Sequence, residues 1–241
     1  MFHFFRRKKI ERMADWPVDV HSHLIPGVDD GAKSPEDALA ILRSLRDLGM
    51  KKWITTPHIF YEYYRNDPQT LKNGFQILQE YLSAQQEQFD ISFAAEYYLD
   101  EHLFKTVDER SALTFGENFL LFETTMLSEP LDLDEFIFKA GLNGYRLVLA
   151  HPERYAYLIG NFKRLEELRD KGVYLQVNML SFLGHYSPAT KKMVRDMVEL
   201  KLIDFIGSDC HHVHHAQLFS ELNSDRYFRK ALSSNLLNYT L

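Results

Sequence analysis

The chain has 241 residues, 45% hydrophobic and 26% charged, enough to bury a sizeable core in one α/β or barrel domain. A formal net charge of −6 argues against broad nucleic-acid binding, and the single cysteine excludes an intrachain disulfide and suits a reducing compartment. No apolar run approaches the roughly 18 residues that span a bilayer.

The N-terminal stretch MFHFFRRKKIERM places a basic cluster behind a short aromatic stub. No apolar segment follows it, so it does not read as a secretory signal. Residues 1–14 read as a solvated tail, and 1–12 offer at most peripheral contact with an anionic membrane surface. Residues 15–241 read as one domain, since no linker, repeat or low-complexity segment interrupts them. WPVDV is the first strand candidate. SPEDALAILRSLRDLG is a helix with Ser34 as its cap, Pro35 in its first turn, Asp37 where a capping box wants an acid, and Gly49 at its end. KKWITTPH is a second strand, stopped by Pro57, and a helical pattern runs from about Asp67 to Gln88. ISFAAE and NFLLFE are the third and fourth strands, joined by a less regular stretch around Glu101 to Gly116. LDLDEFIFKAGLNG reads as a helix and YRLVLAHPER as the fifth strand with its exit loop. NFKRLEELRDKG is a helix ending at Gly172, VYLQVN the sixth strand, SPATKKMVRDMVELK a helix with another Ser-Pro start, and LIDFIGSDCHH the seventh strand and its exit. Short apolar strands alternating with helices predict right-handed βαβ units around a parallel sheet covered on both faces.

The strand exits carry the chemistry. His21 and His23 follow the first strand and His58 the second. Glu96 ends the third, Glu123 the fourth and His151 the fifth, with Glu153 and Arg154 just beyond; Asp209 and His211 follow the seventh. Each residue alone is ordinary, as a solvated rim group or a satisfied loop histidine. Together they place eight potential ligands at the C-terminal ends of six strands, the face on which a (β/α) barrel carries its active site. Residues i and i+2 on a strand point the same way, so His21 with His23, and Asp209 with His211, can share an ion, with Ser22 and Cys210 turned away. Five imidazoles and three carboxylates without a thiolate suit manganese, iron, zinc or cobalt. Eight ligands are too many for one ion and suit two or three. Paired ions roughly 3.5–4 Å apart favour phosphate-ester hydrolysis, and Arg154 can grip phosphate oxygens in bidentate fashion unless it is spent on Glu153.

DVHSHLIPGVDDG, TTPH, AAEYY, LFE, AHPERY and GSDCHH resemble, in order, the motifs of the PHP (polymerase and histidinol phosphatase) superfamily. Within it they resemble the bacterial metal-dependent protein-tyrosine phosphatases of capsule and exopolysaccharide operons, the CpsB/YwqE type. The resemblance runs from about Asp19 to His211. It implies a distorted seven-stranded (β/α) TIM-like barrel with its site at the strand C-termini, and two or three divalent metal ions, usually Mn2+, with Fe, Zn, Co or Mg as alternatives. By motif the metal ligands are His21, His23, His58, Glu96, Glu123, His151, Asp209 and His211, and the catalytic set is Arg154 with Asp209 and His211. The implied substrate is a phosphotyrosine-containing protein, the tail of a membrane tyrosine autokinase, met by a cytoplasmic enzyme near the inner membrane face.

The expected chemistry is in-line attack of metal-activated water on phosphorus, without a phosphoenzyme. Asp29 and Asp30 either orient ligands and solvent or serve turn chemistry before Ser34. Cysteine chemistry is excluded: a C-x5-R signature starting at Cys210 would need an arginine where Ala216 stands. The stretch HHVHHAQLF lacks the arginine that relatives carry after this motif, leaving His212, His214 or His215 as substitutes. QVNMLSFLGHYS lacks the second glycine of the family's GxxG loop. Tyr61, Tyr63 and Tyr64 either stack on an aromatic substrate or pack as loop residues. The competing readings are a phosphatase for a small phosphomonoester such as histidinol phosphate, and a non-catalytic metal-binding regulatory module.

Overall fold

The computed structural model describes Trp16 and residues 18–241; the predicted tail and its membrane contact lie outside the described residues. Among the described residues there are eight strands, all paired in parallel: β1 (Lys52–Thr55), β2 (His58–Ile59), β3 (Asp90–Phe93), β4 (Glu96–Tyr98), β5 (Phe119–Glu123), β6 (Arg146–Ala150), β7 (Tyr174–Asn178) and β8 (Phe205–Gly207). They pair as β1-β3 and as β2-β4-β5-β6-β7-β8. Only Thr56 and Pro57 separate β1 from β2, and only Ala94 and Ala95 separate β3 from β4, so these are two interrupted runs. The first predicted strand forms no ladder. It is held by a parallel bridge from Asp19 to Trp53 on one side and from Ser22 to Cys210 on the other. The backbone bonds Asp209 N–H to His21 O (2.7 Å) and His23 N–H to Cys210 O (3.0 Å) close the upper rim there. Seven runs thus curl into a distorted barrel.

Alternation along the strands divides the interior. Ile54, Ala94, Phe119, Leu121, Val148, Ala150 and Phe205 form one buried apolar cluster with Val18 and Val20. Leu120, Phe122, Leu147, Leu149, Leu175, Val177 and Ile206 belong to the larger cluster shared with the helices. Two positions beyond Ala94 and Leu121 on the same faces stand Glu96 and Glu123, so the polar layer lies directly above an apolar floor.

The helices follow their sequence signals. α1 (Pro35–Asp47) and α2 (Pro68–Ala84) begin with proline behind Ser34 and Asp67, whose side chains accept from Asp37 and Thr70 N–H. α3 (Glu101–Asp108) occupies the stretch expected to be irregular, capped by Asp100 and anchored by buried Leu103 and Val107, one helical turn apart. α4 (Leu133–Leu142), α5 (Phe162–Asp170), the short α6 (Met179–Leu183) and α7 (Pro188–Glu199) complete the βα succession; α8 (Val213–Leu218) and α9 (Arg226–Leu232) follow β8. No helix among the described residues is long and apolar enough to cross a membrane.

Candidate active site

All eight candidate ligands lie on the C-terminal rim of the sheet. His21 and His23 are fully buried, and each has its ring orientation set by a neighbour. His21 Nδ1 donates to Gln176 Oε1 (2.9 Å) and His23 Nδ1 donates to Asp29 Oδ2 (2.8 Å). A carbonyl or carboxylate oxygen can only accept, so both Nδ1 atoms carry the proton and both Nε2 atoms are left as ligands. These two Nε2 atoms are 3.2 Å apart. Glu96 Oε2 approaches His21 Nε2 at 3.2 Å and His58 Nδ1 at 3.1 Å, and Glu123 Oε1 approaches His58 Nδ1 at 3.2 Å. His151 Nε2 reaches Glu96 Oε1 at 2.9 Å. Asp209 Oδ1 lies 3.5 Å from His21 Nε2 and 3.4 Å from His23 Nε2. His211 is pinned by its own backbone turn, Nδ1 to Asp209 O at 3.0 Å, and its Nε2 faces Asp30 Oδ1 at 3.4 Å.

Three overlapping sets have ligand atoms mutually close enough for an ion: His21, His23 and Glu96; His58, Glu96 and Glu123; and His23, Asp30, His58 and His211. His151 and Asp209 border these sets. His211 turns its Nε2 to Asp30, and Asp209 Oδ1 faces the two N-terminal histidines as well as His211 Nδ1, 3.4 Å away. The donor set fits divalent ions on two grounds. Glu96 Oε2 and His58 Nδ1 are buried without any hydrogen-bond partner although they face one another, an arrangement that a shared cation satisfies. The oxygen and imidazole donors, with no thiolate among them, match the borderline metals.

The electrostatics express the same demand. Burial would strip the proton from His21, yet the Glu96 and Asp209 carboxylates raise its pKa; His58, similarly buried, is raised to about 9 by Glu96 and Glu123. Burial would raise Glu96, but His21 and His58 hold it well below the usual carboxylate range, and His21 and His211 do the same for Asp209. The carboxylates call for positive charge in the cluster, and divalent cations meet that demand as protons do. The backbone is strained at two of the candidate positions. His151 (φ 36°) and Asp209 (φ 50°) adopt the left-handed conformation, at a cost of about 1–3 kcal/mol each.

Arg154 does not pair with Glu153. Glu153 is fully buried, accepting from Asn178 N–H and Ser181 Oγ. Arg154 instead lies over the Tyr186 ring, 4.5 Å from its centroid, with Nη1 3.3 Å from Asp209 Oδ2. It lines a cavity of about 640 Å³ together with Asp30, Phe60, Tyr63, Tyr64 and Tyr186. Tyr64 stacks on His58, whereas Tyr61 stacks on His102 away from the cavity. Of the three histidines expected as substitutes for a second phosphate-binding arginine, His212 and His215 line the cavity and His214 does not. Burial, with His212 and His211 alongside, pushes His215 down to about 4, so it is a neutral donor or acceptor and no replacement for a guanidinium. Cys210 is buried and burial pushes its thiol well up, which suits packing and not nucleophilic attack.

Sequence reasoning left Asp29 and Asp30 open and passed over Asp19, Gln176, Asn178 and Tyr186. Gln176 and Asn178 carried a readable signal: alternate polar residues in an otherwise apolar strand mark one face of β7. Asp19, buried on Ser208 N–H (2.8 Å) and Ser208 Oγ (2.6 Å), ties the first strand to the exit of β8 and is raised to about 6 by burial.

A curled parallel sheet that gathers imidazoles and carboxylates along its carboxyl-terminal rim defines a (β/α) barrel-like protein with a site fitted to divalent cations. Residues 17–224 match the family described as "Capsular polysaccharide synthesis, CpsB/CapC", and the chain belongs to that family. Tyrosine-protein phosphatase YwqE of Bacillus subtilis (strain 168) is 27% identical over 197 residues, 81% of this chain and 78% of the relative. Tyrosine-protein phosphatase CpsB of Streptococcus pneumoniae is 27% identical over 202 residues, 81% and 83%. A chain described under "Crystal structures of YwqE from Bacillus subtilis and CpsB from Streptococcus pneumoniae, unique metal-dependent tyrosine phosphatases" superposes with a TM-score of 0.78 at 24% identity, covering 92% of this chain and 94% of that one. At that identity the likeness speaks for the fold.

Proposed function

We propose that the chain is a metal-dependent protein-tyrosine phosphatase of the CpsB/YwqE type. The observation that carries this reading is the overlap of three ligand sets, each of which contributes at least one residue to the wall of one cavity that Arg154 also lines. His21, His23, His58, Glu96, Glu123, His151, Asp209 and His211, joined by Asp30, are the residues that would hold two or three ions, with Mn2+ the proposed metal. Bound divalent ions supply Lewis acidity toward a phosphoryl oxygen and acidify water for attack on phosphorus.

The chain's own groups supply the rest. Arg154 offers a guanidinium to the phosphoryl oxygens from the cavity wall, where a planar fork matches two oxygens at once. Phe60, Tyr63 and Tyr64 supply an aromatic wall beside His58, suited to the phenyl ring of phosphotyrosine. A phenolate with a free pKa near 10 leaves readily, so little acid assistance is needed. The proposed partner is a phosphotyrosine-bearing tail of a membrane-attached autokinase, and the proposed setting is the cytoplasmic face of that membrane.

The test compares initial rates on a phosphotyrosyl peptide and on histidinol phosphate, in manganese and then in excess chelator. The expected result is chelator-sensitive turnover with the peptide strongly preferred. Preference for histidinol phosphate would move the assignment to a small phosphomonoester, and absence of turnover by folded, metal-loaded protein would move it to a regulatory module.

A further inference from the structure

Tyr186 sits in the loop between α6 and α7, held on one side by the left-handed Gly184 (φ 80°) that ends α6 and on the other by Ser187, which caps α7. Its hydroxyl lies 3.2 Å from Asn178 Nδ2, from which it accepts, and 3.2 Å from Asp209 Oδ2, to which it donates. Its ring carries the Arg154 guanidinium at 4.5 Å. Asp209 is thereby divided. Oδ2 receives Asn178, Tyr186 and Arg154, while Oδ1 faces His21, His23 and His211.

We propose that Tyr186 is a positioning residue with two separable roles: its ring is the platform on which Arg154 waits for a phosphoryl group, and its hydroxyl turns Asp209 so that one oxygen alone faces the metal ligands. The proposal rests on the reading of Asp209 as a metal ligand and Arg154 as the phosphoryl-binding cation. The physical case is preorganisation. An arginine stem loses several rotatable bonds of freedom on binding, and a ring that already carries the guanidinium removes part of that cost beforehand. From the ring Arg154 also reaches Asp209, with Nη1 3.3 Å from Oδ2, so the platform and the carboxylate together fix the guanidinium. With one arginine lining the cavity, its placement matters more than where two share the work. On the other side, a ligating carboxylate whose second oxygen is saturated by donors is held in one orientation and one denticity.

The experiment measures two affinities in the full chain, for Mn2+ by chelator competition and for inorganic phosphate by calorimetry on manganese-loaded protein. Arg154→Ala is the reference. Tyr186→Phe keeps the ring, so phosphate affinity should stay within about twofold of wild type while Mn2+ affinity falls about tenfold. Tyr186→Leu and Tyr186→Met remove the platform, and both should weaken phosphate binding nearly as far as Arg154→Ala does. The double variant Arg154→Ala with Tyr186→Leu should bind phosphate no more weakly than Arg154→Ala alone, because the two changes remove one interaction. Wild-type phosphate affinity in the leucine and methionine variants, with Arg154→Ala impaired, overturns the platform role. Unchanged Mn2+ affinity in Tyr186→Phe overturns the hydroxyl role. Wild-type phosphate affinity in Arg154→Ala itself would instead refute the underlying reading of Arg154, and the platform would fall with it.

Discussion

His23 reaches the rim with its Nδ1 proton committed to Asp29, 2.8 Å away, and its Nε2 turned inward. Asp29 is itself held by Gly31 N–H (2.9 Å) on one oxygen and by His58 N–H (3.0 Å) on the other, so one buried carboxylate fixes a candidate ligand and the backbone of a second. Removing it frees the His23 tautomer and loosens His58. Asp29→Ala should therefore lower metal affinity roughly 10- to 100-fold with the chain still folded, measured by chelator competition and circular dichroism; Asp29→Asn should recover part of the loss. At this scale the sequence is informative about unusual residues and silent about ordinary ones. Histidines and acids at strand ends stand out against an apolar background, so the eight candidates are legible. Asp29, Gln176 and Asn178 acquire their roles only once folding sets them against His23, His21 and Asp209, which lie 6, 155 and 31 residues away along the chain.

Strands and helices set how accurately those residues are delivered. Gly207 on β8 leaves the space into which the His21 side chain and the Gln176 amide pack; a Cβ there would press on both. Gly207→Ala should keep the sheet yet displace His21, so the expected outcome is soluble protein with reduced bound metal by elemental analysis. Full wild-type metal content would show that β8 tolerates the methyl and that the close approach is not needed. α7 begins two residues past Tyr186, behind Ser187, whose Oγ accepts Thr190 N–H at 3.0 Å. Ser187→Ala should cost about 1 kcal/mol, read as a lower denaturant midpoint with an unchanged slope. Short apolar runs, most of them bounded by proline or glycine, made the strand runs readable, and Ser-Pro starts marked α1 and α7. α3 escaped because its eight residues bury only Leu103 and Val107, too short a pattern to stand out in a polar stretch. The ladderless first strand lay beyond a periodicity argument as well, since its partners are the interrupted run of β1 and the exit of β8, not a single neighbour.

Across the whole molecule, an apolar floor and a surrounding helical layer support a polar rim that the curled sheet closes around. Closure brings Asp19 against Ser208 and His21 beside Gln176, joining the two ends of the chain at the site. The fold therefore concentrates Asp29, Glu96 and Asp209, all buried, beside five imidazoles, an arrangement whose cost multivalent cations remove. Anomalous diffraction from crystals of the purified, metal-loaded chain, with elemental analysis of the same preparation, tests that claim most directly. The account predicts two or three ions per chain, located among the histidines and acids that end the seven strand runs. A well-folded chain with no ion there after loading, or with ions elsewhere on its surface, would contradict it.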